Sequence, residues 1–485
     1  MKNWFTQTAA FLLLLLLIVT DACAQENDNT LPGAKDYRQD FTVFRNTLQQ
    51  QYPSLYRFTG RKKMDALLDS CYNSIDENTA PVDFYRLIKF AVSAIGDGHL
   101  ACRPSPELKK YLDEEALLFP LNIHFIGDKA YMRYPVGDNI IAGTEVVAIN
   151  EEPVNQVRQK LFRYIVGDGA VQSKKYVILD NVFRFYYAMV YGEQNVFKIA
   201  FRTAAGDTVT RKIHGISAKD LGMPDEPAPA KLLDLLFTKD NIAVLTIKSF
   251  SKQELDEKGT DFPAFLDSAF RVINNNKVNR LIIDVRGNGG GRDSYGILLY
   301  SYLANKAFRY YSSLKTATTV LPYEDFDSTV SSYNHLTGAM LKKTSVKQFK
   351  LTEEAHPGLT KIQPHENKYQ GALWVLTDGL SFSTTAEFCA VARSHKRAVF
   401  IGEETGGTYC GNTSGAQVET VLPASKLVIS LGTVQYSMAV KKKRPVNRGV
   451  IPDHSITPTM EDVVKSNDSI LEYALQLIHH KAGSR

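Results

Sequence analysis

Cysteine is scarce in this chain, five residues in 485, and the five are scattered. No C-x-x-C occurs and no cysteine–histidine cluster has zinc spacing, so a structural zinc fold is not expected. Beyond the first two dozen residues no run is apolar enough to cross a bilayer, and no integral membrane segment is expected there. Charge of one sign is also lacking. The net charge is +5 and the cations are dispersed, apart from Lys441–Arg444. That short run reads as a solvated turn, and no nucleic-acid partner is expected. The nucleotide fingerprints fail as well. Residues 284–292 read DVRGNGGGR; a G-x-G-x-x-G frame begun at Gly287 ends on Arg292, and no G-K-[ST] closes the loop. No cofactor, metal or nucleotide is expected, and internal repeats and low-complexity tracts are missing too.

What is present is ordinary for a soluble globular protein, with 44% hydrophobic and 22% charged residues. The length calls for two or three domains. Lys2, the apolar run Phe11–Val19 and Ala22-Cys23-Ala24 have the order of a secretory signal peptide cleaved near Ala24. The mature chain is then expected in the periplasm or outside the cell. A lipid anchor through Cys23 is the rival reading, and Thr20-Asp21 before it fits such a site poorly. Cys71, Cys102, Cys389 and Cys410 remain, either as up to two disulfides or as buried thiols.

Residues 25–36 are polar and read as unstructured. From Tyr37 to about Ala94 apolar residues recur at three- and four-residue spacings, which predicts helices. The last of them ends at Gly96-Asp97-Gly98-His99, where paired glycines predict a helix stop and turn. Residues 117–215 predict a small β module of short strands. Residues 221–230, rich in proline and acidic groups, read as a linker. The remainder predicts α/β structure; Arg280–Val285 is a continuous apolar strand suited to a sheet covered on both faces.

The chemistry concentrates in Gly371–Glu387, GALWVLTDGLSFSTTAE. It predicts a strand, a tight loop and a helix start with serines at the junction. A helix N-terminus offers unpaired N–H groups and a positive dipole end, as a nucleophile and its oxyanion require. Ser381 nearly fits a G-x-S-x-G elbow. Ser383 immediately precedes the helix, where it could equally cap it. A serine needs a base, and His99 stands out among ten histidines by its glycine-flanked turn. The DVRGNGGGR loop can turn sharply and point N–H groups at a ligand, and Asp284 with Arg286 could brace it.

Taken in series, these motifs resemble the S41 serine peptidases, which include the C-terminal processing proteases and the tricorn core protease. The residues that carry the resemblance are GDGH (96–99), GTEVVAIN (143–150), DVRGNGGG (284–291), FSTTAEF (382–388), GEETGG (402–407) and GVIPD (449–453). The resemblance implies an α/β fold: a ClpP/crotonase-like catalytic core over 231–465, a helical N-terminal domain over 25–115, a PDZ-like module over 116–220 and a C-terminal helix or tail over 466–485. It implies Ser383 as nucleophile, His99 as general base, backbone oxyanion donors at Thr384 and Gly290, and a peptide or unfolded protein as substrate. Asp97, Asp284, Arg286 and Glu403 are the nearest candidates for supporting roles. The processing-protease branch places a lysine where this chain has Thr408 and Tyr409. Tricorn-like members carry a glutamate before G-V-x-P-D, where this chain reads Arg444–Gly449 without a carboxylate. The group that orients His99 is therefore unassigned, and a non-enzymatic peptide-binding protein on the same fold is the alternative.

Overall fold

The computed structural model describes residues 32–136, 140–221, 231–319, 340–345, 348–441 and 445–482. The signal peptide expected over 1–24, Cys23, and nearly all of the expected linker and of Lys441–Arg444 lie outside the described residues. So does most of the lead expected to be unstructured; its last residues already belong to the helix Ala34–Gln51.

The region from residue 231 onward is built on a sheet ordered Leu233–Phe237, Ile242–Ile247, Arg280–Asp284, Ala372–Thr377, Val399–Gly402 and His454–Ser455. Its first pair is antiparallel and every later pair parallel. The strands read as unbroken apolar runs because both faces are covered. Ala243, Leu245, Leu281, Ile283, Leu373 and Val375 point to one face, where the helices Phe262–Asn275, Asp293–Ser301 and Thr384–Ser394 pack. Ile242, Val244, Ile282, Trp374 and Leu376 point to the other, beneath Ile470, Ala474 and Ile478 of the helix Ser469–Ala482. The period of two in a strand sends alternate residues to the two layers.

The N-terminal helices Ala34–Gln51, Arg61–Asn73 and Pro81–Ile95 bury one face each, including Phe41, Phe44, Leu68, Ile88 and Val92. Their core is shared with Leu422, Leu427, Ile429 and Leu431 from far along the chain. The strand Ala101–Arg103 pairs antiparallel with Val428–Ser430 of the long strand Val428–Met438. Asp40 accepts the Ala424 and Ser425 N–H groups at 2.9 and 2.7 Å. The helical region is thus stitched to a second, antiparallel sheet of the core.

Between them, the strands Ile123–Ile126, Lys129–Met132, Glu145–Ile149, Val196–Arg202 and Thr208–His214 form an antiparallel sheet. The expected short strands lie here, but so do the helices Val154–Leu161 and Ser173–Tyr191. The longer helix escapes sequence reading because SKKYVILDNVFRFYYAMVY is rich in aromatic and β-branched residues, which favour strands in isolation. Burial of Leu179, Phe183 and Tyr187 against the sheet overrides that preference. All four cysteines of the described residues are free thiols, three of them buried. No described helix is long and apolar enough to cross a membrane.

Candidate active site

Ser383 has φ 54° and ψ −127°, a left-handed conformation that a residue with a Cβ adopts at a cost of about 1–3 kcal/mol. It precedes the helix Thr384–Ser394, yet its side chain does not cap that helix. Instead Ser383 Oγ lies 3.0 Å from His99 Nε2, across 284 residues of sequence. Ser381 is occupied elsewhere. It is buried; its Oγ donates to Val285 O at 2.9 Å and accepts the Asp378 N–H at 3.1 Å. Ser381 ties the loop to the neighbouring strand, and the two serines that compete in the sequence are separated by their partners.

The glycine loop lies against Ser383. Gly287, Gly290 and Gly291 have φ of 74°, 107° and 136°. A Cβ on Gly290 would sit 2.7 Å from Ser383 Cβ and 3.1 Å from Thr384 N, so only glycine allows this approach. The Gly290 N–H, expected free for an oxyanion, donates to Asn288 Oδ1 at 2.9 Å. Gly290 fits by its missing side chain, and its N–H is engaged by a side chain of its own loop. The Thr384 N–H is at the first turn of its helix, where no carbonyl of the preceding turn can meet it.

His99 sits in a turn whose glycines have separate causes. Gly96 takes the left-handed conformation that ends the helix Pro81–Ile95. Gly98 is squeezed; a Cβ there would meet Lys174 Nζ and the Phe382 ring, both at 2.9 Å. The His99 ring stacks on Phe382 with centroids 4.5 Å apart. Asp97 accepts the His99 backbone N–H on Oδ1 at 2.9 Å and the Tyr52 hydroxyl on Oδ2 at 2.6 Å. Its Oδ1 is 3.5 Å from His99 Nδ1, an electrostatic contact, and Nδ1 is buried without a hydrogen-bond partner. Burial alone would raise the Asp97 carboxyl, but His99 and the Tyr52 hydroxyl outweigh it and hold it at about 2.

Two further residues, unforeseen from the sequence, close this cluster. Asp168 is buried; Oδ1 accepts the Gly98 N–H at 2.6 Å and Oδ2 the Thr408 N–H at 3.2 Å. Burial and the Asp97 charge push its carboxyl up, while His99 and Lys174 pull it down. Lys174 Nζ donates to Gly98 O at 3.3 Å and stands 3.0 Å from the Phe382 ring centroid. Burial lowers its ammonium to about 8 against the pull of Asp168 and Asp97. A signal for Asp168 exists: Gly167-Asp168-Gly169 repeats the tripeptide Gly96-Asp97-Gly98. The two turns are zipped together, Gly169 N–H donating to Gly96 O at 2.8 Å. Nothing in the sequence around Lys174 marks it.

Among the described residues, Asp97, His99 and Asp168 are the one group of three potential metal ligands, their atoms within 4.8 Å of one another. Each carboxylate oxygen there already accepts a hydrogen bond and Lys174 adds a cation, so the group reads as a charge cluster. The other expected supporting residues lie apart. Arg286 grips Asp284 through two hydrogen bonds, at 2.9 and 2.8 Å, and reaches Asp468 at the start of the C-terminal helix. Arg286 and Glu403 line a cleft of about 450 Å³ between the β module and the core, whose walls include neither His99 nor Ser383. At 447, where no carboxylate stands, the Asn447 carbonyl accepts the Ala170 N–H at 2.8 Å, beside the second glycine-flanked turn.

Residues 241–456 match the model of peptidase family S41. No curated protein matches the chain. In fold, the chain is similar to mature CPAF complexed with lactacystin: TM-score 0.64, 16% identity, 92% of this chain and 97% of the other covered. Mature CPAF alone gives TM-score 0.63 at 16% identity, covering 91% and 95%. A putative peptidase from Parabacteroides merdae gives TM-score 0.45 at 16% identity, covering 92% and 96%.

Proposed function

We propose that this chain, whose residues 241–456 belong to peptidase family S41, is a serine peptidase of the Ser–His kind that cleaves peptides or unfolded proteins. The observation that carries the reading is the 3.0 Å contact between His99 Nε2 and Ser383 Oγ. Such a distance suits direct proton transfer. As Ser383 Oγ attacks the substrate carbonyl, His99 Nε2 takes its proton. The tetrahedral oxyanion develops beside the Thr384 N–H, at the positive end of the helix Thr384–Ser394. A substrate oxygen that also recruits Gly290 must displace the Asn288 side chain from that N–H. His99 then protonates the leaving amine, and water, deprotonated by the same ring, releases the acyl group from Ser383. No lysine serves at 408 or 409; the Thr408 N–H is bonded to Asp168 instead.

A mature chain beginning after Ala24 would work in the periplasm or outside the cell. A second reading, a weak or inactive peptide-binding protein, is favoured by one feature, the lack of a hydrogen-bond partner on His99 Nδ1. A fluorophosphonate separates the two, since an activated serine is phosphonylated and an inert one is not. The peptidase reading expects labelling at Ser383, abolished in Ser383→Ala, and hydrolysis of an unfolded protein lowered about a thousandfold or more in the same variant. Unlabelled Ser383 in folded protein would overturn it.

A further inference from the structure

Resting on the Ser383–His99 reading, we propose that Asp168 and Lys174 are positioning residues that balance the charge His99 acquires when it takes the Ser383 proton. Asp97 cannot do this alone. Its two oxygens are held by the His99 backbone and by Tyr52, and its contact with Nδ1 is not a hydrogen bond. Asp168 brings a second carboxylate into the same 4.8 Å cluster. It is fixed by N–H groups of two other segments, Gly98 and Thr408. Lys174 is buried beside it and packed on the same Phe382 ring that stacks on His99.

The charge count gives the mechanism. With His99 neutral and both carboxylates ionised, two negative charges face one ammonium, a net charge of −1 in a buried site. When His99 takes the Ser383 proton, the cluster becomes neutral. The imidazolium formed during attack is therefore favoured by its surroundings, as a low-dielectric site requires. Among the described residues, Ser383 meets Nε2, the Tyr52 hydroxyl meets Asp97, and Arg57 acts on Tyr52.

The two residues have opposite signs, so their removal has opposite effects. The test measures the rate of fluorophosphonate reaction at Ser383 against pH, whose acidic limb reports the group that must lose its proton before Ser383 reacts. Asp168→Asn removes a negative charge, and the limb is expected to move down by about one pH unit, with the plateau rate lowered. Lys174→Met removes a positive charge, and the limb is expected to move up by a similar amount. The double variant returns towards the wild-type midpoint. A merely structural loss lowers the rate without moving the limb in two directions. Opposite shifts support the proposal; unmoved limbs, or shifts of the same sign, overturn it while leaving the peptidase reading intact. Should Asp168→Asn fail to fold, Lys174→Met decides alone, an upward shift supporting and anything else refuting. If wild-type Ser383 does not react, the peptidase reading falls and the proposal with it.

Discussion

Glu387, four residues after Ser383 on the same helix, is sensitive to pH although it is almost wholly buried. Its carboxylate accepts the Tyr311 hydroxyl at 2.7 Å and the Asn412 amide at 2.8 Å. Close by, His356 and Asp293 form a second buried pair at 2.8 Å. Burial, with Asp293 adding, raises Glu387 from 4.5 to about 7 despite the Tyr311 and Asn412 hydrogen bonds. The sign follows from which state holds the proton. Between pH 4.5 and 7 the folded protein keeps a proton on Glu387 that the unfolded chain has released, so folding stability falls as pH rises through this window. At about 1.4 kcal/mol per pH unit, the whole interval amounts to about 3 kcal/mol as an upper bound. Glu387→Gln mimics the protonated acid: its carbonyl can accept from Asn412 and its amide can donate to the Tyr311 oxygen. The variant is expected to match wild type near pH 4.5 and to exceed it by up to about 3 kcal/mol above pH 7. Denaturant unfolding at half-unit pH steps measures the difference. If the two stability curves run parallel from pH 4.5 to 8, Glu387 is not a buried acid of raised affinity for protons, and the account is wrong.

Ser381→Ala is expected to cost about 1–3 kcal/mol of stability, by stranding the Asp378 N–H and leaving the Val285 carbonyl only the Asn288 N–H, while Ser383 still reacts with a fluorophosphonate. Thermal melting and probe labelling read the two effects separately, and a Ser381→Ala protein that folds but loses labelling would contradict the division of labour between the serines. Gly290→Ala is expected to lower peptide hydrolysis by at least about a hundredfold, because its Cβ would collide with Ser383 and its φ of 107° strains any side chain. Wild-type turnover in that variant would remove the glycine loop from the site.

Legibility differed between levels of structure. The parallel strands of the core were readable because burial on both faces leaves an unbroken apolar run, as in Arg280–Val285. The helix Phe262–Asn275 carries its apolar residues Phe262, Leu266, Ala269, Phe270 and Ile273 at helical spacing, a pattern visible in the sequence. The helix Ser173–Tyr191 was not, since its aromatic and β-branched residues are held helical by tertiary packing. At the site, Ser383 and His99 could be singled out through backbone peculiarities, a helix start and a glycine-flanked turn. Choosing Ser383 over Ser381 rested on the family resemblance; the partner of each hydroxyl was invisible until the loop was folded. Asp168 and Lys174 escaped because a buried charge is defined by what surrounds it in space, and their neighbours come from segments about 70 to 240 residues away.

The short strand Ala101–Arg103, two residues past His99, finds its partner at Val428–Ser430, more than three hundred residues later. In the order of synthesis, the base is made long before the strand that anchors it. A ribosome-bound chain that has emerged only as far as the β module holds His99 without Ser383, and a fragment beginning at the linker holds Ser383 without His99. Loop closure of this length is slow and comes late in folding. The contact between His99 and Ser383 is therefore a property of the folded chain as a whole, and neither segment forms it alone.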